Sequence, residues 1–364
     1  MMRALVLARR GYGGTSPNPM VGAVVVRKGE IVGEGWHKRA GEPHAEVNAL
    51  LKAKDRARNA SLFVTLEPCS TFGRTPPCAE AIIKSGIAEV IVGATDPNPK
   101  HSGEGFSILR KAGIKVRTGL LAEEAERLNE TFNFSVTQKR PWVICKCAMS
   151  LDGKIATNSG ESKWITGGKA REFGMRLRLG ADAIVVGINT ILRDDPALTL
   201  RPVPGMKIPA WKQLRRVVLD PEGRIADSAR VLRDQNAALT TVVLGSEASE
   251  RRVKELEKVA RVMIAPSIGN PPEINLRWVL KKLGAEGVTS MLVEGGGETH
   301  ARFFRQSLVN RVCFFYAPLI ITGRAAPKSV AGRRTLRRGR GVKLTNVEWS
   351  KVGADLLCSA MVQD

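Results

Sequence analysis

Short apolar runs separated by turn residues indicate the strands in the first third of the chain. Residues 21–26 and 30–36 flank the turn formers Arg27, Lys28 and Gly29, and this spacing predicts a β-hairpin. Further strands are predicted at 61–66, 89–94 and 114–119, with helices from about His44, from about Pro77, near 105–112 and over 122–138. Because strands and helices alternate, we expect a mixed sheet covered by helices on both faces.

The helical pattern at 122–138 is followed by Lys139, Arg140 and Pro141, which end it, and the alternation begins afresh at Trp142. We therefore place a boundary between two α/β domains, 1–139 and 140–364. In the second domain, strands are predicted at 142–150, 181–187, 215–220, 240–245, 261–265, within 289–297 and at 310–321, and the tail to Asp364 is interpreted as strand-rich. Helices are predicted at 168–179, 275–283 and 298–305.

Charge is the most unusual property of the composition. The 364 residues carry a formal net charge of +22, which favours anionic partners: nucleic acid, phosphorylated metabolites or a phosphate-bearing cofactor. Only 5% of the residues are aromatic, so little surface is available for stacking bases, and we expect no nucleic acid partner. The basic segment 324–340 is interpreted as a solvated loop.

Neither a signal peptide nor a membrane span is evident in the sequence. The N-terminus has a short apolar run interrupted by arginines, and no apolar run approaches ~20 residues. We expect a cytoplasmic protein without a membrane partner. Six cysteines in a chain of this size do not indicate a disulfide framework, and four of them are interpreted as core packing: Cys145, Cys147, Cys313 and Cys358.

The remaining two cysteines form a candidate metal site with one histidine. His44 follows Pro43 at a predicted helix start, and Cys69 and Cys78 frame a loop rich in turn formers after a predicted buried strand. One imidazole and two thiolates suit a tetrahedral zinc ion that keeps its fourth position open, which is typical of catalytic zinc. The prolines that precede His44 and Cys78 predict that both ligands lie at helix N-termini.

Glu46 lies two residues beyond His44 and is a candidate proton carrier. Zinc lowers the pKa of a bound water to near 7, and a neighbouring carboxylate can pass the water's proton to a departing amine. Nucleobase deaminases combine H-x-E with a later P-C-x-x-C, whereas here eight residues separate the two cysteines. Taken alone, His44 and Glu46 could also be an ordinary helix start.

Long motifs across both domains resemble one family. SPNPMVGAVVV, GEPHAEVNAL, TLEPCSTFGRTPPC and DPNPK are similar to the riboflavin-biosynthesis deaminase that is fused to a reductase. The resemblance continues through KCAMSLDGKIAT, SGESKWIT, GINTILRDDPALTLR and LVEGGG, and so covers nearly the whole chain. It implies a cytidine-deaminase-like α/β/α domain followed by a dihydrofolate-reductase-like α/β domain. The implied enzyme deaminates a ribosylaminopyrimidine 5′-phosphate with zinc and then reduces its ribosyl group with NADPH.

The same resemblance assigns further site residues. In the deaminase domain it implies Glu46 as the catalytic residue, ligands His44, Cys69 and Cys78, and substrate contacts at Asn18, His37 and Arg74. In the reductase domain it implies NADPH contacts at Ala148, Trp164, Thr190, Asp194, Gly295, Gly296 and Gly297, and substrate contacts at Ser162, Arg178, Leu198, Arg201 and Glu294. Without the resemblance, Trp164 and Leu198 would be interpreted as core residues.

The glycines at 295–297 also have a physical interpretation of their own. They follow a predicted strand and precede a predicted helix, so their amides could cradle a pyrophosphate, although a tight turn is the alternative. No strand is followed by G-x-G-x-x-G, which argues against a Rossmann site.

Two alternatives to the bifunctional enzyme stay open at the level of sequence. Thr71 stands where the family commonly has a histidine, which would fit a reductase whose deaminase activity is weakened. The basic charge would fit a deaminase that edits polynucleotides, but this leaves residues 142–364 without a purpose. We also expect a homo-oligomer, while the sequence leaves open its size and any transfer of substrate between the domains.

Overall fold

The computed structural model describes residues 1–72, 76–99, 101–332 and 341–363. The chain forms two compact units, Met1–Lys139 and Arg140–Asp364, each with its own sheet and apolar core. Residues 333–340 of the basic segment lie outside the described part of the chain. Among the described helices, none combines the length and the apolar character needed to cross a membrane.

A five-stranded sheet forms the centre of the first unit. Its strands are β1 (Gly22–Arg27), β2 (Glu30–Trp36), β3 (Ser61–Leu66), β4 (Glu89–Ala94) and β5 (Lys115–Arg117). Its helices are α1 (Met2–Ala8), α2 (Ala45–Ala53), α3 (Cys78–Lys84), α4 (Glu104–Lys111), α5 (Ala122–Leu128) and α6 (Glu130–Gln138). The strand order is β2-β1-β3-β4-β5, and the hairpin of β1 and β2 pairs antiparallel to the parallel strands β3, β4 and β5.

Two glycines on β2 let α2 pack closely against the sheet. A Cβ atom on Gly33 would lie 2.2 Å from the carbonyl oxygen of Ala49, and one on Gly35 would lie 2.3 Å from that of Ala45. Any side chain at these positions would push the helix away. This contact fixes the height of the N-terminus of α2 above the sheet.

The single helix predicted at 122–138 is wrong, because the structure breaks it at Asn129 into α5 and α6. The Asn129 side chain accepts a hydrogen bond from the backbone N–H of Met20 at 2.8 Å and donates one to its carbonyl oxygen at 3.0 Å. Asn129 is buried, and its reciprocal pairing with a backbone 109 residues away satisfies both groups of the amide. No local pattern of the sequence encodes such a partner.

The second unit is built on a nine-stranded sheet. Its strands are β6 (Trp142–Ser150), β7 (Ala183–Gly187), β8 (Arg215–Leu219), β9 (Thr240–Gly245), β10 (Arg261–Ala265), β13 (Ser290–Val293), β14 (Arg311–Ala317), β15 (Leu344–Val352) and β16 (Asp355–Val362), with a separate two-stranded sheet of β11 (Ser267–Ile268) and β12 (Glu273–Ile274). The helices are α7 (Gly168–Gly180), α8 (Ile188–Asp194), α9 (Arg230–Arg233), α10 (Glu250–Glu257), α11 (Leu276–Ala285) and α12 (Gly297–Arg305). Helices α8, α9 and α10 were not predicted from the sequence.

The strand order β10-β9-β8-β7-β13-β6-β14-β16-β15 is parallel from β10 to β14, and β16 and β15 add antiparallel strands at one edge. Because neighbouring strands are parallel, the carboxyl ends of β6, β13, β7 and β8 meet at the same edge of the sheet, where α/β proteins commonly bind ligands. Cys145, Cys147, Cys313 and Cys358 are all buried, so their interpretation as core packing is confirmed.

Candidate active sites

The three candidate metal ligands come from three different elements of the first unit. His44 is the N-cap residue of α2, Cys69 lies in the loop after β3, and Cys78 is the first residue of α3. Pro43 and Pro77 precede the two helices, as the sequence indicated. The prediction that His44 and Cys78 lie at helix N-termini is therefore confirmed.

The ligand atoms are close enough to share one ion. His44 Nδ1 lies 3.2 Å from Cys78 Sγ and 3.5 Å from Cys69 Sγ, and all three ligand atoms lie within 4.8 Å of one another. A nitrogen and a sulfur bound to one tetrahedral zinc ion are about 3.6 Å apart, given their usual bond lengths. The set of donors and its spacing therefore fit zinc.

The surroundings of Cys69 favour its ionised form. Hydrogen bonding from Cys78 and from His44 outweighs burial and lowers the pKa of the Cys69 thiol to about 4. The backbone N–H of Cys78, at the start of α3, donates to Cys69 Sγ at 3.2 Å. A thiolate held by a helix N-terminus is the form in which cysteine binds a metal.

Glu46 lies in the first turn of α2, beside the ligands, and is only 3% exposed. Burial, with a contribution from the negative charge of Cys69, raises the pKa of its carboxyl group to about 7. A carboxyl group with such a pKa can both take up and release a proton near neutral pH. A hydrogen bond with Cys78 acts in the opposite direction and lowers the pKa, but less than burial raises it.

His37 lies next to the ligand His44, and Asn18 lies next to His37. The Asn18 amide Nδ2 lies 3.1 Å from His37 Nε2, and the His37 ring meets the His44 ring edge-on with 5.1 Å between their centroids. Burial lowers the pKa of His37, so the imidazole is neutral, with Nδ1 toward the carbonyl oxygen of Pro43 and Nε2 toward Asn18. Arg74 lies outside the described residues, and Thr71 is exposed.

A cavity of about 450 Å³ lies at the carboxyl edge of the second sheet. Of the residues implied by the resemblance, those that line it are Ala148, Ser162, Thr190, Asp194, Glu294, Gly295, Gly296 and Gly297. They come from the loops and helices that follow β6, β7 and β13, together with β6 itself. The fold thus brings residues from four separate motifs to one edge of the sheet.

Four of the implied residues do not line this cavity, namely Trp164, Arg178, Leu198 and Arg201. Trp164 is 65% exposed and stacks against the Arg171 guanidinium at 4.6 Å, in a separate open cavity, so its alternative interpretation as a core residue is wrong. Leu198 is 4% exposed and packs in an apolar cluster of the second unit. Arg201 is exposed and does not line the cavity.

Arg178 supports the cavity from behind by forming a double ion pair with Glu294. Its Nε and Nη2 donate to the two carboxylate oxygens at 2.9 and 3.0 Å, and its Nη1 donates to the carbonyl oxygen of Thr199 at 2.9 Å. Burial opposes ionisation of Glu294, but the positive charges of Arg178 and Lys146 outweigh it and lower its pKa to about 2. Glu294 is thus a fixed, ionised carboxylate in the cavity wall.

Lys146 is a site residue that was not predicted from the sequence. Its ammonium group lines the cavity and lies 3.9 Å from a carboxylate oxygen of Glu294. The signal was present in the sequence: a lysine stands between Cys145 and Cys147 in the middle of a strand, on the face opposite the buried cysteines.

The three glycines after β13 differ in how much space their surroundings leave for a side chain. A Cβ atom added to Gly295 would lie 2.6 Å from Thr299 Cβ, and one added to Gly297 would lie 2.2 Å from the carbonyl oxygen of Lys328. Protein packing therefore excludes a side chain at both positions. On Gly296 it would meet only Ile155, at 4.0 Å. Gly296 is the N-cap residue of α12, whose first amides have no partner within the helix, so the backbone here is open to a phosphate.

Family models match both units of the chain. Residues 1–94 match the cytidine and deoxycytidylate deaminase zinc-binding region, and residues 141–358 match the RibD C-terminal domain. The chain is therefore a deaminase and a reductase joined in one polypeptide, with a cytidine-deaminase-like fold followed by a dihydrofolate-reductase-like fold.

Relatives of similar length identify the family. The riboflavin biosynthesis protein RibD of Aquifex aeolicus is 44% identical over 357 residues, which cover 98% of this chain and 96% of that protein. RibD of Escherichia coli is 39% identical over 333 residues, which cover 88% and 87% of the two chains. The chain belongs to the RibD family of riboflavin biosynthesis proteins.

Two solved structures match over the whole chain. RibD of Acinetobacter baumannii matches with a TM-score of 0.88 and 33% identity, covering 100% of this chain and 98% of that one. A Thermotoga maritima protein, described as a diaminohydroxyphosphoribosylaminopyrimidine deaminase/5-amino-6-(5-phosphoribosylamino)uracil reductase, matches with 0.82 and 35%, covering 100% and 97%. The predicted family and folds are confirmed, and neither a reductase alone nor a polynucleotide-editing deaminase is favoured.

Proposed function

We propose that the two sites act in sequence on one phosphorylated pyrimidine. The first unit removes an amino group from 2,5-diamino-6-ribosylamino-4(3H)-pyrimidinone 5′-phosphate by hydrolysis, and the second reduces the ribosyl group to ribityl with NADPH. The observation that carries this proposal is the His44, Cys69 and Cys78 cluster beside the buried Glu46, in a chain whose second unit matches the RibD C-terminal domain.

In the first reaction, Glu46 moves the protons. Zinc held by His44, Cys69 and Cys78 supplies the acidity that makes a water molecule nucleophilic near neutral pH. Glu46 takes a proton from the attacking water and delivers it to the amine that leaves the pyrimidine carbon. Its burial supports this role, because a raised pKa lets the same carboxyl group act first as base and then as acid.

Asn18 and His37 position the pyrimidine. The neutral His37 imidazole is held by Asn18 and Pro43 and presents its ring edge-on to His44, so it forms a rigid wall beside the ligands. We assign the amide of Asn18 to the polar edge of the substrate ring. Arg74 is assigned to the substrate phosphate by the family resemblance alone.

In the second reaction, the wall made by Glu294 and Lys146 holds the ribose. A carboxylate and an ammonium group 3.9 Å apart can bind neighbouring hydroxyls, and Arg178 keeps the carboxylate ionised and oriented. NADPH supplies the hydride that reduces C1′ of the opened ribosyl group. The task of the cavity is then to align two carbons and to exclude water.

Further contacts with NADPH are assigned to Ala148, Thr190, Asp194 and the glycines at 295–297, and Ser162 to the substrate. Ser162 Oγ lies 3.5 Å from a carboxylate oxygen of Asp194, which supports a shared position in the wall. Trp164, Leu198 and Arg201 keep their assignments from the resemblance only. Trp164 lies in a separate open cavity, Leu198 in the core and Arg201 on the surface.

We propose in addition that the enzyme is a cytoplasmic homo-oligomer whose anionic partner is this small molecule rather than nucleic acid. None of the six cysteines, all of which lie in the described part of the chain, forms a disulfide, which favours a reducing compartment. An exposed apolar strip on the edge strands supports oligomerisation: Leu344, Val347, Trp349 and Leu356 are 41–59% exposed.

The proposed order of reactions predicts a simple dependence of the two products on the cofactor. Incubated with the diaminopyrimidine ribotide, the purified chain is expected to release ammonia with or without NADPH. NADPH oxidation should begin only after ammonia has been released. Both are measured in one spectrophotometric time course. Oxidation of NADPH without any release of ammonia would contradict the proposed order of reactions.

Glu294→Gln is expected to destabilise the second unit and to impair only the reduction. The change leaves the Arg178 guanidinium buried without a full counter-charge, which costs about 3 kcal/mol of unfolding free energy. Urea unfolding and NADPH oxidation with pre-deaminated substrate measure the two effects. Glu286→Gln is the matched control, because it removes a half-buried carboxylate that also pairs with two arginines but does not line the cavity. Unchanged stability and reduction in Glu294→Gln would contradict the assignment.

A further inference from the structure

The cavity of the second unit extends across four neighbouring strands. Its lining runs from Lys146 on β6, past Glu294 after β13 and Gly187 at the end of β7, to Pro221 after β8. These strands are adjacent in the order β6-β13-β7-β8. Three steps between strands correspond to about 14 Å, which is the scale of an extended dinucleotide rather than of a single ring.

The order of groups along the cavity follows from the assignments above, on which this inference rests. Hydride transfer requires the nicotinamide at the end where Glu294 and Lys146 hold the ribose. The open backbone at Gly296, at the N-terminus of α12, places the pyrophosphate after β13. The adenosine must then lie beyond it, against the loops that follow β7 and β8.

Arg224 is the cation on the loop after β8 that lines this end of the cavity. Its Nη2 donates to the Asn189 side-chain oxygen at 3.1 Å, and Asn189 also lines the cavity. Its Nε lies 3.5 Å from Glu222, whose side chain is 76% exposed. An ion pair this exposed contributes little to stability, so Arg224 can give up the contact with Glu222 and bind a phosphate instead.

The loop that carries Arg224 is held firmly by its neighbours. Arg252 donates to the carbonyl oxygens of Gly223, at 2.7 Å, and Ile225, and Asp220 accepts from the backbone N–H of Ile225 at 2.8 Å. Gly223 and Ile225, the residues on both sides of Arg224, are thus held in place by hydrogen bonds. A guanidinium on such a loop is positioned before the ligand arrives.

We propose that Arg224 binds the 2′-phosphate of the adenosine and thereby selects NADPH over NADH. A guanidinium presents two parallel N–H donors that match the oxygens of a phosphate. NADH has a neutral hydroxyl at the 2′ position and so offers no phosphate to these donors. Asn189 orients the guanidinium from the β7 side. Arg224 is then a residue that determines cofactor specificity, distant from the hydride.

Two nucleotides that lack nicotinamide test this proposal without any turnover. Adenosine 2′,5′-bisphosphate and 5′-AMP are titrated into the full-length protein by calorimetry, with wild type, Arg224→Gln and Arg251→Gln compared. Arg224→Gln should raise the Kd of the bisphosphate about tenfold and leave that of 5′-AMP within twofold. Arg251→Gln, which removes an exposed, ion-paired arginine that does not line the cavity, should change neither.

The preference in turnover should follow the same pattern, with the ratio of kcat/KM for NADPH to that for NADH falling about tenfold in Arg224→Gln. Equal weakening of both nucleotides, or no weakening, would overturn the proposal. So would a loss of bisphosphate binding in Arg302→Gln but not in Arg224→Gln, because Arg302 lines the cavity from α12. If the wild type binds neither nucleotide nor NADPH, the assignment of the cavity to NADPH fails as well.

Discussion

Ammonia release is expected to fall by about a thousandfold or more when Glu46 is replaced by glutamine. The amide has nearly the same shape as the carboxyl group but cannot accept the proton of the attacking water or return it to the amine. Because Glu46 is not one of the three ligands, the variant should keep its zinc. The measurement is ammonia release from the diaminopyrimidine ribotide at saturating substrate, with zinc determined by atomic absorption on the same sample.

Two controls make this result specific. Glu123→Gln changes another glutamate in the first turn of a helix, but one that is exposed, and should leave ammonia release unchanged. Reduction of pre-deaminated substrate by Glu46→Gln should equal that of the wild type. If ammonia release survives in Glu46→Gln, another group carries the proton and the assignment is wrong.

Cys69→Ala is expected to cause the same loss of ammonia release by a different route. It removes the ligand whose thiol has the lowered pKa, leaving one imidazole and one thiol, which are too few donors to retain zinc against dilution. Zinc content should fall from about one ion per chain to near zero. Atomic absorption after gel filtration measures the content, and NADPH oxidation with pre-deaminated substrate should be unaffected.

The contrast between the two variants separates chemistry from metal binding. Glu46→Gln loses activity and keeps zinc, whereas Cys69→Ala loses both. Cys358→Ala removes a buried thiol from the second unit and should keep the zinc content of the wild type. Full zinc content in Cys69→Ala would mean that the ion is held by other ligands.

Features that depend on neighbours in the chain could be predicted from the sequence. Pro43 before His44 and Pro77 before Cys78 indicated two helix N-termini, since proline is favoured at helix starts and both helices begin there. The order of the histidine and the two cysteines, together with the long family motifs around them, was enough to group the three ligands. The folds of both units followed from the same motifs and from the alternation of strands and helices.

Pairings between distant positions could not be predicted. Arg178 and Glu294 were both expected to contact substrate, but nothing in the sequence indicated that the arginine uses its donors on the glutamate 116 residues away. Lys146 was overlooked because its strand was interpreted through its buried cysteines. The exposure of Trp164 likewise depends on tertiary packing, whereas the burial of Leu198 agrees with its interpretation as a core residue.

The two hydrogen bonds between the Asn129 side chain and the Met20 backbone affect when the first unit can be completed during translation. Asn18 lies two residues before Met20, and the backbone of Met20 is held by the side chain of Asn129, which is translated 109 residues later. A nascent chain that has emerged only as far as β5 already contains all three zinc ligands, yet the wall of the pyrimidine pocket still lacks its tether. Because the chain is synthesised from its N-terminus, the first catalytic centre is complete only after Asn129 has been translated, shortly before the second unit begins to emerge.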